Sequence, residues 1–111
     1  MKDSERERIR EERRRMKEEY GALYEKVEAL LFRHDPMGIN FEENTDEYEL
    51  ETSLILPRLR TCGSAAEVTR TVHQVFMDCF GAVEARAERQ YAEIGAEIWE
   101  LWVAFQESTQ P

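Results

Sequence analysis

The feature that most constrains the fold is an apolar stripe of helical period near the C-terminus. Over residues 82–107, apolar residues recur every three or four positions, which places their side chains on one face of an α-helix. The members of this stripe are Val83, Ala87, Tyr91, Ile94, Ile98, Leu101, Trp102 and Phe105. Because so continuous an apolar face must be buried, we expect the rest of the chain to pack against this helix.

Three earlier segments show the same period, and we predict helices over residues 4–33, 45–60 and 64–80. Asp35-Pro36 ends the first, because a residue before proline is disfavoured in the α region. Ser64 begins the third as its N-cap, and Gly81 ends it. The predicted buried faces are Met16, Tyr20, Leu23, Val27, Leu30 and Leu31 in the first helix, Tyr48, Thr52, Ile55 and Leu59 in the second, and Ala65, Val68, Val72, Val75, Phe76 and Cys79 in the third.

Four helices with short connections indicate an all-α fold, and we predict a small four-helix antiparallel bundle with a long charged N-terminal helix. Glu and Arg dominate the start of that helix, and its apolar face begins only at Met16. We therefore divide the chain into a charged helical extension over residues 1–15 and a single helical domain over residues 16–107. Pro57 interrupts the second helix, and either a kink or an early end is consistent with it.

The charge is strongly negative and unevenly distributed. The net charge is −9 over the 111 residues, but residues 1–19 carry +1 and residues 20–111 carry −10. The negative charge of residues 20–111 repels nucleic acid and attracts basic proteins. We therefore predict a basic protein partner and no nucleic acid. No apolar run is long enough for a signal peptide or a membrane span, which predicts a cytoplasmic protein without membrane contact.

The acidic segment, residues 35–51, is the candidate binding site. It contains seven acidic residues and no lysine or arginine. A solvated loop followed by a helix start rich in acids explains this composition without any function. A docking surface for a basic partner explains it equally well, with aromatic anchors inside a charged rim. In this second interpretation Phe41 and Tyr48 are the anchors, and the steering charges are Glu42, Glu43, Asp46, Glu47 and Glu49. Tyr48 also lies on the buried face of the second helix, so a core role stays open.

No catalytic or metal-binding pattern is evident. The two histidines, His34 and His73, lack an identifiable nucleophile or base at a meaningful spacing. Cys62 and Cys79 form no CxxC pair, and two cysteines are too few for a disulfide framework. The acidic segment lacks the spacing of an EF-hand loop. We therefore predict that the protein is not an enzyme and needs no cofactor or metal.

The stretch DPMGINFEENTDEYELETSLILPRL, residues 35–59, resembles short uncharacterised bacterial proteins that have an Asp-Pro-Ile-Gly turn and an Asp-Glu-Tyr-Asp helix start. Here the turn is Asp-Pro-Met-Gly at positions 35–38, and the helix start is Asp-Glu-Tyr-Glu at positions 46–49. Met37 replaces the usual Ile, and Glu49 replaces Asp. The resemblance implies a small helical cytoplasmic protein, and some similar proteins look like immunity proteins that bind and block a toxin domain.

These observations lead to two functional hypotheses of different classes. The first is an immunity-type inhibitor that neutralises a cognate toxin by protein–protein binding through the acidic segment. The second is a helical adaptor or self-associating structural module, such as a homodimer, without a toxin partner. An enzymatic function is the least favoured, since the apolar stripes carry no polar constellation.

Overall fold

The computed structural model describes residues 3–38 and 48–109, and these residues form helices joined by short connections. The six α-helices are α1 (Asp3–Tyr20), α2 (Ala22–His34), α3 (Glu49–Arg58), α4 (Ala65–Phe80), α5 (Ala82–Ala85) and α6 (Ala92–Thr109). Two short 3-10 helices cover Leu59–Thr61 and Glu88–Tyr91. The described ranges contain no strand, which confirms the all-α prediction. None of their helices is both long and apolar enough to cross a membrane.

The predicted N-terminal helix over residues 4–33 is divided into α1 and α2 at Gly21. This residue has φ 54° and ψ −132°, a conformation that glycine adopts at little cost and that ends the α-helical geometry. The N–H of Gly21 still donates to the carbonyl of Lys17 at 2.8 Å, which closes the last turn of α1. The predicted buried face continues across the break, and Met16, Tyr20 and Leu23 are all buried.

The predicted C-terminal helix over residues 82–107 is also divided. The single-turn helix α5 ends at Arg86, which has φ 67° and ψ −164°, and a 3-10 helix then leads into α6. This interruption changes the phase of the helix, so residues before it do not share the buried face of α6. Val83 is 87% exposed as a result, and Ala87, within the interruption, is also exposed. The assignment of these two residues to the buried stripe is wrong.

The second predicted helix, over residues 45–60, corresponds to α3, which is shorter. Its described part, α3, begins at Glu49, and residues 45–47 lie outside the described residues. Pro57 lies inside α3, which ends one residue later and continues as the 3-10 helix Leu59–Thr61. Pro57 lacks the N–H that would bond to the carbonyl of Ser53, so an early end of the α-helix is the outcome.

The core lies where α6 packs against α4 and α2, with α3 closing it on the side of α4. Ile98, Val72 and Phe76 are completely buried there. Gly95 allows a close approach of α6 to α4, because a Cβ atom added to it would lie 1.9 Å from Thr69 Oγ1 and 2.7 Å from Thr69 Cα. At the start of α4, the hydroxyl of Ser64 accepts a hydrogen bond from the backbone N–H of Glu67, as predicted for its N-cap.

Candidate partner-binding site

Most of the predicted binding residues lie in the part of the acidic segment that is outside the described residues. These are Phe41, Glu42, Glu43, Asp46 and Glu47. The structure describes the two ends of the segment, which comprise the turn at Asp35-Pro36-Met37-Gly38 and the start of α3. The geometry of these two ends determines how the residues between them are attached to the fold.

Tyr48 joins the two ends. Its hydroxyl donates a hydrogen bond to Asp35 Oδ1 at 2.6 Å and accepts one from the backbone N–H of Met37 at 3.2 Å. The side chain is completely buried, and its ring packs against Phe76 at a centroid distance of 5.9 Å. Tyr48 therefore has the core role that the sequence left open, and its ring offers no surface to a partner.

The turn that precedes the acidic segment has a defined backbone. Asp35 adopts a left-handed conformation with φ 47°, and its N–H donates to the carbonyl of Leu31 at 2.8 Å. Gly38, with φ 64°, donates its N–H to the carbonyl of Asp35 at 3.0 Å. Met37 is partly buried against the core. The described residues on both sides of positions 39–47 are therefore packed against the core.

Glu49 is the predicted steering charge that the structure describes, and it belongs to a cluster between α1, α2 and α3. Its Oε1 lies 3.7 Å from Arg13 Nε, and the Glu49 side chain is 19% exposed. Arg13 Nη2 also donates to Glu28 Oε1 at 3.3 Å. Burial raises the pKa of Glu28. The charge of Glu49 is thus partly neutralised within the chain, which weakens its contribution to long-range steering.

Glu51, the last acid of the segment, is removed from the surface. It is only 4% exposed, and burial raises the pKa of its carboxyl group. Burial and the neighbouring Glu51 also raise the pKa of the Cys79 thiol, to about 11. A thiol with so high a pKa is a poor nucleophile at neutral pH. Glu51 and Cys79 therefore contribute to the α3–α4 contact and not to a docking surface.

Both histidines contact neighbouring elements. His34 Nε2, at the end of α2, is hydrogen-bonded to Glu97 of α6, which Arg33 also contacts at 2.7 Å. The hydrogen bond from His34 and the charges of His34 and Arg33 lower the pKa of Glu97. His73 Nε2 lies 2.8 Å from the carbonyl oxygen of Arg86. In the described part of the chain, no group of three or more His, Cys, Asp or Glu residues could hold a metal ion.

Arg13, Tyr24 and Glu28 were not among the predicted binding residues. Their cluster is formed by residues that are distant in sequence, since Arg13 and Glu28 are separated by 15 positions. A signal was nevertheless present, because Tyr24 and Glu28 are four residues apart and occupy the same face of α2. A carboxylate beside the apolar stripe of a helix indicates a buried charge that needs a partner.

Comparison with known proteins returns no relative: no family model, no curated protein and no solved structure matches this chain.

Proposed function

We propose that this protein is a small acidic cytoplasmic binding protein, an immunity-type inhibitor that neutralises a cognate bacterial toxin by binding its basic domain. The docking surface in this proposal is the acidic segment, with Phe41 as the aromatic anchor. The steering charges are Glu42, Glu43, Asp46 and Glu47. The helices α2, α3, α4 and α6 serve as the bundle-like scaffold that carries the segment.

The observation that supports this proposal most directly is the attachment of both ends of the acidic segment to the core by Tyr48. Binding residues are commonly found on loops that a rigid scaffold positions. The hydrogen bond that Tyr48 donates to Asp35 and the one that it accepts from the N–H of Met37 limit the separation of the two ends. This reduces the conformational entropy that residues 39–47 lose when a partner binds them.

The net negative charge of the folded body supports the choice of a basic partner. Residues 20–111 carry a net charge of −10, so the field of the whole body attracts cations toward the segment. The identification of that partner as a toxin depends on the resemblance of residues 35–59 to proteins that look like immunity proteins. Affinity capture from the native host with the full-length chain, followed by identification of the retained protein, tests that step.

The charge dependence of association tests the docking surface. With the captured partner, Glu42, Glu43 and Glu47 changed together to Gln should lower the association rate constant by about 10-fold at low ionic strength, with a smaller change in dissociation. A matched triple substitution of the exposed residues Glu25, Glu88 and Glu107 to Gln removes the same charge elsewhere. Equal effects of the two triple variants on the association rate would contradict a specific docking role for the segment.

The attachment by Tyr48 is tested separately from the charges. Tyr48→Phe keeps the buried ring but removes both hydrogen bonds, which should lower the free energy of unfolding by about 1–2 kcal/mol. Because the ends of the segment are then less restrained, partner affinity should also fall. Tyr20→Phe is the control, since Tyr20 is also a buried tyrosine and its ring packs against Phe105 of α6. If both variants bind the partner with unchanged affinity, the attachment does not contribute to binding.

Self-association is the second candidate function, and a surface groove favours it. The groove has a volume of about 530 Å³ and lies between the α1–α2 junction and the end of α6. Leu23, Leu101 and Phe105 line it, so a second copy could bury apolar area there. Sedimentation velocity over a range of concentrations measures the stoichiometry. Leu101→Arg should abolish any dimer, whereas Val83→Arg, at an exposed position on α5, should leave it unchanged.

A further inference from the structure

We propose that Tyr24, Glu28 and Glu49 form a guanidinium-binding site, which Arg13 occupies in the free protein and an arginine side chain of the basic partner occupies in the complex. This inference rests on the proposed function and specifies the chemistry of the partner. It also gives α1 a role, because α1 must release Arg13 before the partner can enter.

The three side chains surround the guanidinium group of Arg13. Its Nη2 donates to Glu28 Oε1 at 3.3 Å, and its Nε lies 3.7 Å from Glu49 Oε1. The guanidinium carbon lies 6.0 Å from the ring centroid of Tyr24. Carboxylates in the plane of a guanidinium and an aromatic face beside it are the groups that recognise arginine in proteins. The site therefore selects the side chain of arginine over the compact ammonium group of lysine.

Arg13 satisfies this site incompletely. Glu28 is only 8% exposed, and its Oε2 has no hydrogen-bond partner among the described residues. Arg13 Nε is also buried without a hydrogen-bond partner in that part of the chain. A buried polar atom without a partner is energetically costly, and a carboxylate can accept two hydrogen bonds from one guanidinium. An arginine that approaches from a partner is not constrained by α1 and can form both bonds.

The attachment of α1 makes such an exchange feasible. Among its described side chains, Met16 and Tyr20 are the buried apolar ones, and Glu19 pairs with Arg60 near the same end. Two other arginines of α1 are paired within the helix: Arg14 with Glu11, and Arg15 with Glu12. In the described part of α1, Arg13 therefore forms the ion pair with other helices that lies closest to the N-terminus. Its release requires local opening of the first turns of α1 and not unfolding of the core.

The position of the site connects it to the acidic segment. Glu49 is the first residue of α3 and lies within the acidic segment, near its C-terminal end. A basic partner that docks on the segment therefore brings its cationic groups close to Glu49. Lys17 lies on the other side of the site, with its Nζ 5.9 Å from the ring centroid of Tyr24. Displacement of α1 would remove Arg13 and Lys17 from the site and leave the carboxylates of Glu28 and Glu49 for the partner.

Chemical rescue tests the site without the partner. Arg13→Ala removes the atoms that ethylguanidinium replaces, so adding ethylguanidinium chloride should raise the unfolding midpoint of this variant saturably, on the order of 5 °C. Ethylammonium chloride at the same ionic strength should produce a much smaller rise. Arg14→Ala controls for the loss of an α1 arginine, since Arg14 pairs within α1, with Glu11. The double variant Arg13→Ala/Glu28→Gln controls for the carboxylate, and neither control should show the rise.

A second measurement applies to the wild-type chain, in case Arg13→Ala does not fold. Ethylguanidinium should compete with Arg13 and increase amide hydrogen exchange in residues 10–16, whereas ethylammonium should not. Equal responses to the two salts in this measurement, or equal rescue of Arg13→Ala and the double variant, would overturn the guanidinium site. The proposed docking role of the acidic segment would survive that result, because it is measured by the association rate of the triple Gln variant.

Discussion

Two contact regions differ in the forces that hold them: the contact between α4 and α6, and the junction of α1, α2 and α3. Val72, Phe76 and Ile98 form the α4–α6 contact through apolar surface. At the junction, a directional charge pair between Arg13 and Glu28 is added to the apolar contacts, and the two side chains are 30% and 11% exposed. Apolar burial is non-directional and approximately proportional to area, whereas a buried ion pair must first compensate for lost hydration. The α4–α6 contact therefore carries the stability, and the junction is the part of the fold that a ligand can rearrange.

Ile98→Ala should have the largest effect and tests the first half of this comparison. The side chain is completely buried on α6, so its truncation should lower the free energy of unfolding by about 2–5 kcal/mol. Arg89→Ala, at an exposed position before α6, should change it by no more than about 0.5 kcal/mol. Urea unfolding followed by circular dichroism measures both. If the two variants were equally stable, the α4–α6 contact would not be the main source of stability.

Gly95→Ala should have the next largest effect, through overpacking. The added methyl group would meet the side chain of Thr69 and also its Cα at 2.7 Å, so α4 and α6 must separate. We expect a loss of about 1–3 kcal/mol despite the better helix propensity of alanine. Because the Thr69 backbone is part of the clash, adding Thr69→Ala should restore only part of the loss. Full recovery in the double variant would mean that the side-chain atoms of Thr69 beyond Cβ, and not its backbone, limit the distance between the helices.

The sequence predicted the apolar contact of α6 better than the places where helices break. The stripe of α6 predicted the burial of Ile94, Ile98 and Trp102, because helical period alone determines which side chains share a face. The breaks at Gly21 and Arg86 were not predicted. One glycine within a helix costs only about 1 kcal/mol, so tertiary packing decides whether the helix continues through it.

The candidate site was less predictable for a related reason. Acidic composition identified the segment, and the stripe containing Tyr48 left its core role open. The pairing of Arg13 with Glu28 and Glu49 depends on the angle between α1 and α2, which no local pattern encodes. Pairs within one helix, such as Arg14 with Glu11, join residues three or four positions apart, whereas pairs between helices require the assembled fold.

The smallest expected effect concerns Glu51, which brings a carboxyl group into the contact between α3 and α4. Burial raises its folded-state pKa above the ordinary value of 4.5. For a carboxyl group shifted in this direction, the favourable contribution to stability is complete below the unfolded pKa and is lost as pH rises through the folded pKa. Glu51→Gln removes the ionisation but keeps an oxygen that can accept a hydrogen bond. The variant should therefore gain stability relative to the wild type as pH rises from about 4 to 7.

The measurement for Glu51 is the difference in free energy of unfolding between Glu51→Gln and the wild type at each pH. Taking the difference removes the contributions of other groups, including Glu97, whose pKa is lowered and whose pH dependence has the opposite sign. Glu107→Gln, at an exposed position near the end of α6, controls for the loss of one negative charge from an acidic protein. The Glu51 difference should increase with pH more steeply than the Glu107 difference. Parallel pH profiles for the two variants would show that the carboxyl group of Glu51 ionises as readily in the folded state as an exposed one, and the burial of this group between α3 and α4 would then be contradicted.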